Sequence, residues 1–314
     1  MQPRKEGRKA PDQKKLFDLC RFDCDLRIPG NHYSNQAYEN ECFRTNRKRD
    51  NKTMKLIWHG TAAIELQNES GKLLFDPFVP LSHSEVPVKL EEFDGFTDVL
   101  ITHGHLDHIA HLPKILSRNP KMRIYCTGVP RRSLLKKKIP EKNLIEIHYG
   151  QELDVNGFHI QVLHGRHAIL PSVSAKRLAY ILKSPAKSNL PWLLKEHLSC
   201  PEKDETVFYQ IETDNVTLSL MGSMNLREEI LYPTNADYLV LPYNGWEDNY
   251  QPAIQVLSRL QPKHVLLDHY DDTFPPLTMP LDLSPILEYE KASVRQLEHH
   301  KTICLDFAPQ SFHP

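Results

Sequence analysis

The chain contains no run of eighteen apolar residues, so it offers no helix able to cross a bilayer, and no membrane span is expected. It also lacks an excess of charge of either sign. Its 39 Lys and Arg stand against 40 Asp and Glu, for a formal net charge of −1. A global basic signature is therefore missing, and nucleic acid is not an expected partner. No apolar core follows the opening Met-Gln-Pro-Arg-Lys-Glu-Gly-Arg-Lys, which argues against a secretory signal. Cysteine is sparse and scattered, at Cys20, Cys24, Cys42, Cys126, Cys200 and Cys304, which predicts a reduced, cytoplasmic protein. A zinc knuckle from Cys20, Cys24, His32 and Cys42 is disfavoured because the spacing is loose and no strands flank it. No short internal repeat is visible.

What remains is a chain of 314 residues, 40% hydrophobic, enough for one sizeable core. Residues 1–53 stand apart. They are polar, carry basic clusters such as Arg47-Lys48-Arg49, and show no sustained period. Such a segment buries little, so it reads as a disordered extension, or as a mis-assigned start with the true one at Met54. Residues 54–314 form the expected catalytic domain.

The most informative stretch is Thr102-His103-Gly104-His105-Leu106-Asp107-His108, an H-x-H-x-D-H pattern. Apolar Phe96–Ile101 precedes it and reads as a buried strand; Ile109–Leu116 follows and can begin a helix. A strand-to-helix handover makes side chains converge. His103 and His105 lie two apart, so in an extended turn they point the same way and can grip one ion. Asp107 and His108 can serve a second. Imidazole nitrogen and carboxylate oxygen suit zinc, with manganese or iron as alternatives.

From Met54 the sequence predicts alternating strands and helices. Strands are expected over Lys55–Trp58, Ala62–Gln67, Lys72–Phe75, Thr97–Thr102, Arg123–Cys126, Leu144–His148, Glu152–Val155 and His159–Leu163, all in a first half. A second half has strands over Arg177–Lys183, Thr206–Glu212, Asn215–Met221, Tyr238–Pro242, His264–Leu267 and Thr302–Asp306. Helices are expected over His108–Ser117, Arg131–Lys138, Leu226–Leu231, Tyr250–Leu260 and Leu287–His299. Two β-rich halves flanked by helices predict an α/β fold, a four-layer α/β/β/α sandwich. The proline-bearing stretch Ser184–Asp204 reads as an insertion that could cap the cleft.

The H-x-H-x-D-H cluster, the opening Met54–Leu66 and the Leu73–Phe78 segment with its Asp76-Pro77 turn together resemble the metallo-β-lactamase fold superfamily. The likeness covers about residues 54–308 and is greatest to the branch of ascorbate-phosphate lactonases and related hydrolases. It implies a metal-dependent hydrolase. It also implies further ligands beyond the cluster. The family's placement of a histidine after a strand favours His167 over His164, and both stay open. His269, after Val265–Leu267, resembles the terminal metal histidine, with Asp271 and Asp272 as candidate orienting groups. Where many relatives carry a bridging aspartate after glycine, this chain has Gly222-Ser223. That departure predicts one tightly held ion, or two held unequally.

The implied assignment is His103, His105 and His167 on the first ion, and Asp107, His108 and His269 on the second. Asp107 is the catalytic proton acceptor, with His164, Ser223 and Asp272 as further candidates. The expected reaction is hydrolysis of an ester, lactone, amide or phosphodiester of a small metabolite. Arg166, Lys176 and Arg177 could meet an anionic substrate, and Tyr243-Asn244-Gly245-Trp246 should lie at the cleft rim, but no substrate contact is assigned. Two alternatives are a nuclease or lipid phosphodiesterase on the same scaffold, and a non-catalytic member with a decayed second site. A redox role is disfavoured because the di-iron members replace the second histidine of the cluster with glutamate, whereas here it is His105. Oligomeric state is not readable.

Overall fold

A computed structural model of the chain describes residues 53–169, 175–213, 215–244, 249–278 and 281–305. Residues 1–52, with the basic clusters and the cysteine–histidine set near Cys20, lie outside the described residues, as do Gly245 and Trp246.

The strands are β1 Met54–Trp58, β2 Ile64–Asn68, β3 Gly71–Phe75, β4 Asp98–Leu100, β5 Arg123–Cys126, β6 Leu144–Glu146, β7 Glu152–Val155, β8 Phe158–His164, β9 Val207–Glu212, β10 Thr217–Met221, β11 Tyr238–Pro242, β12 His264–Asp268, β13 Ser293–Gln296 and β14 Thr302–Leu305. The α-helices are α1 Leu106–Ile109, α2 Leu112–Arg118, α3 Gly128–Lys136, α4 Ala175–Lys183, α5 Leu190–Ser199, α6 Tyr250–Leu260 and α7 Ser284–Leu287. One sheet has the order β14-β1-β2-β3-β4-β5-β6 and the other β13-β12-β11-β10-β9-β8-β7. Each is antiparallel at one end and parallel at the other; β3 to β6 and β10 to β13 are the parallel runs.

Strand alternation sorts the core into three slabs. Leu56, Phe75 and Leu100 of the first sheet meet Tyr209, Leu218 and Val240 of the second. The neighbours Leu74, Val99 and Ile124 point the other way, onto Ile109, Leu112 and Ile115 of α1 and α2. Leu239, Leu241 and Val265 likewise turn away from the sheet interface onto Ala253 and Leu257 of α6. Both faces of the parallel strands are covered, which is why β11 is apolar without interruption. The layers are helix, sheet, sheet, helix, as the sequence predicts. The described helices include none long and apolar enough to cross a membrane.

Several elements differ from the sequence reading. Residues 177–183 belong to helix α4, not to a strand, because Arg177, Ile181 and Ser184 are buried at helical spacing. The stretch 287–299 is not one helix: α7 ends at Leu287 and β13 adds in parallel to the edge of β12. Residues 226–231 form no helix; Arg227 instead ties this loop to Gly165 O at 2.9 Å. The expected helix 108–117 is two helices, broken at His111, whose Nδ1 accepts from Val79 N at 3.1 Å. Finally, β7 and β8 belong to the second sheet, because β8 pairs with β9.

Candidate metal centre

The carboxyl ends of β4, β8, β10 and β12 converge, and each delivers a loop to one cleft. Beyond β4 the chain stays extended through His105 (φ −67°, ψ 160°) and then turns into α1. This brings His103 and His105 together, with His103 Nε2 3.2 Å from His105 Nδ1. From the loop after β8, the His167 ring lies with its centroid 4.5 Å from that of His105 and 5.1 Å from that of His103. His269 follows β12 and has a left-handed backbone at φ 58°. A non-glycine residue adopts that conformation at a cost of about 1 kcal/mol. Its Nε2 reaches Asp107 Oδ2 at 3.0 Å.

Two sets result: His103, His105 and His167, and Asp107, His108 and His269. In each, ligand atoms lie within 4.8 Å of one another. These are the sets that the sequence reading named. His164 is not among them. Its ring stacks on Tyr149 at 3.8 Å and its Nε2 meets Asp204 O at 3.0 Å. Ser223 is buried beside the cleft, and its Oγ accepts from Ala168 N at 2.9 Å. Asp272 is bonded to Thr278 instead, and Asp271 accepts from Thr61 N and contacts His299 Nε2. Neither orients His269, whose buried Nδ1 has no hydrogen-bond partner.

The donor set fits a cation. His167 Nδ1 donates to Ala168 O at 2.8 Å, which leaves Nε2 as the lone-pair nitrogen. His108 Nδ1 is held at 2.9 Å by Asp76 Oδ2, with the same consequence for its Nε2. Burial, with neighbouring imidazoles, pushes His103 well below the usual histidine range and His105 to about 3. Burial also lowers His167. These shifts favour the neutral, ligating form of all three rings. Burial works against the charge on Asp107, but His108 and the His269 hydrogen bond overcome it and keep the carboxylate ionised. Burial likewise opposes protonation of His269, but Asp107 raises it to about 9 without a metal.

Asp76 was read from sequence only as part of a turn. It is buried, and besides His108 it accepts from Thr102 N at 2.8 Å and Thr102 Oγ1 at 2.5 Å. It thereby clamps both ends of the cluster loop. The only signal for this role was its place at the end of β3. Gly222 serves the same packing: a Cβ there would lie 2.5 Å from Thr102 Cβ and 2.8 Å from Val207 O. A separate group, His59, Glu92 and His300, is a chain of close polar contacts extended by Glu65, with His59 Nε2 2.9 Å from Glu65 Oε2 and His300 Nε2 2.7 Å from Glu92 Oε2.

The stretch 184–204, expected as an insertion able to cap the cleft, lines it through the turn Pro185–Asn189 and α5, and α4 before it, expected as a strand, joins the roof. Helices α4 and α5 and the turn Pro185–Asn189 contribute to a cavity of about 1030 Å³ that also holds the two histidine sets, Ser223 and Asn244.

Residues 72–270 match the family described as beta-lactamase superfamily domain. A metal-dependent hydrolase of Saccharolobus solfataricus is 27% identical over 224 residues, covering 69% of this chain and 84% of that protein. One of Metallosphaera sedula is 30% identical over 118 residues, 36% of this chain, and the chain spans only half (50%) of that relative's length. A solved metallo hydrolase from Ignicoccus hospitalis shares the fold, with a TM-score of 0.54 at 21% identity over 82% of this chain and 100% of that one.

Proposed function

The chain belongs to the beta-lactamase superfamily, as a hydrolase of the metallo-β-lactamase fold, and on that premise we propose that it hydrolyses an ester, lactone or amide of a small metabolite. The observation that carries this reading is the pair of three-residue sets opening into one cavity. His103, His105 and His167 would hold a first ion, zinc by its ligand chemistry, and Asp107, His108 and His269 a second, weaker one. A bound ion supplies Lewis acidity and a water that ionises near neutral pH.

The chain's own groups do the rest. Asp107, ionised at the cavity floor, orients the attacking water and accepts its proton at a carboxylate oxygen. Asp76 and Ala168 O fix the tautomers of His108 and His167. Ser223 offers a neutral hydroxyl already engaged with Ala168 N, which supports unequal ions, since a bridging carboxylate is what a second cation needs. A phosphodiester of nucleic acid is a poorer fit, because among the described residues Lys187 is the only lysine or arginine side chain on the cavity wall.

The test is metal content per chain by elemental analysis, with turnover on a panel of esters, lactones and amides. We expect about one tightly held ion, rising towards two in Ser223→Asp, and loss of about 10²–10⁴ in kcat for Asp107→Ala. A protein that holds no ion, or one whose Asp107→Ala variant turns over normally, would remove the proposal.

A further inference from the structure

We infer that the cavity beside the metal-ligand sets is a binding site for an apolar acyl chain, so that the substrate is a medium-chain acyl ester, lactone or amide. This rests on the hydrolase reading and adds the substrate class.

The first observation is the wall. Beyond the histidine sets the cavity is bounded by Leu182, Leu190, Leu194, Phe274 and Leu277. Its volume of about 1030 Å³ exceeds what a lactone ring or a short ester would fill; pockets that take drug-sized ligands run to about 300–1,000 Å³.

The second is exposure without looseness. Leu182 is 59% exposed and Leu194 63% exposed, although both sit on helices fastened to the body. Arg177 of α4 donates to Leu277 O. Buried Asn189, before α5, donates to Ser82 O at 2.9 Å and Pro275 O at 2.8 Å. Glu196 of α5 pairs with Lys137. Leucines that a fastened roof leaves bare at the mouth of a cavity are unfavourable unless an apolar partner covers them.

The third is charge. Among the described residues Lys187 is the one lysine or arginine side chain on the wall, which suits a substrate with few anionic groups and an uncharged tail. Hydrolysis of such a substrate balances with water alone. The acyl carbon gains hydroxyl, the bond to oxygen or nitrogen breaks, and the leaving atom takes the proton.

The test separates binding from chemistry. Calorimetric titration of the full chain with hexanoate, octanoate and decanoate should show affinity rising about threefold to fourfold per methylene. In the double variant Leu182→Asn/Leu194→Asn that gain should fall by half or more. Leu231→Asn, at a position 95% exposed and off the cavity wall, should keep it. Affinity that is flat with chain length, or a gain that survives the double variant, overturns the inference. So does a dimer in sedimentation that the double variant abolishes, because a second copy would then cover these leucines. The metal-loaded protein is then given esters of the same acids. Chain-dependent binding with no turnover of any ester rejects the hydrolase reading alone, and turnover with a KM indifferent to chain length rejects the acyl site alone.

Discussion

The roof of the cleft rests directly on the loop that carries His103 and His105: a Cβ placed on Gly104 would lie 2.3 Å from Pro201 O, just beyond the end of α5. Gly104 sits between His103 and His105, so any side chain there must displace either the roof or the two imidazoles. Gly104→Ala should therefore cost about 1–3 kcal/mol in stability and lower metal affinity, as read by thermal melts and chelator competition. A variant that melts and binds like wild type would mean that Pro201 yields freely.

Asp76 reaches His108 Nδ1 at 2.9 Å and Thr102 N at 2.8 Å. Asp76→Asn keeps the shape but alters the hydrogen bond that sets the His108 tautomer. Metal affinity should drop about 10–100-fold. A change of less than threefold in a competition titration would reduce Asp76 to a packing residue.

His167→Ala should weaken metal binding far more than His164→Ala, because the His164 ring faces Tyr149 and Asp204. The reverse order in elemental analysis would assign the ligand role to the other histidine.

Glu65 is nearly enclosed. Burial raises its pKa, but hydrogen bonds from His59 and Gln67 and the charge of Lys72 more than offset that, leaving it below the usual value. A folded-state pKa below the unfolded one stabilises the protein above about pH 4.5, and this contribution is lost as pH falls through the folded value. Glu65→Gln should thus flatten the acid limb of melting temperature against pH while lowering stability near pH 7 by about 1–3 kcal/mol. Parallel acid limbs for variant and wild type would show that Glu65 titrates alike in both states.

Much of this site is legible in sequence for a geometric reason. His103 to His108 lie on consecutive positions, so strand and turn periodicity alone nearly determines which way they face. His269 follows three apolar strand residues and is placed by the same logic. His167 and His164 are harder, because both flank the end of β8 and only the pairing of β8 with β9 decides which ring enters the cleft. Asp76 shows only as a polar residue at the end of β3, and its role as a clamp stays hidden, since its partner His108 is distant in the chain. Misread elements share one cause. Helix α4 and strand β13 take their form from what covers or pairs with them, and short apolar runs carry no period strong enough to reveal it.

The six gathered side chains come from both sheets: His103 to His108 follow β4 of one, while His167 and His269 follow β8 and β12 of the other. An ion held by either set would act as a rivet between the two sheets, beside hydrogen bonds that already join them there, such as Val207 N to Thr102 O at 2.8 Å and His269 N to Thr61 O at 2.9 Å. Such an ion binds the docked halves and not the separated ones, so resistance to heat and to proteases should scale with the logarithm of free metal. In a cell short of metal, unloaded chains would open more often and be cleared first, and the abundance of the protein would follow metal supply without any change in its synthesis.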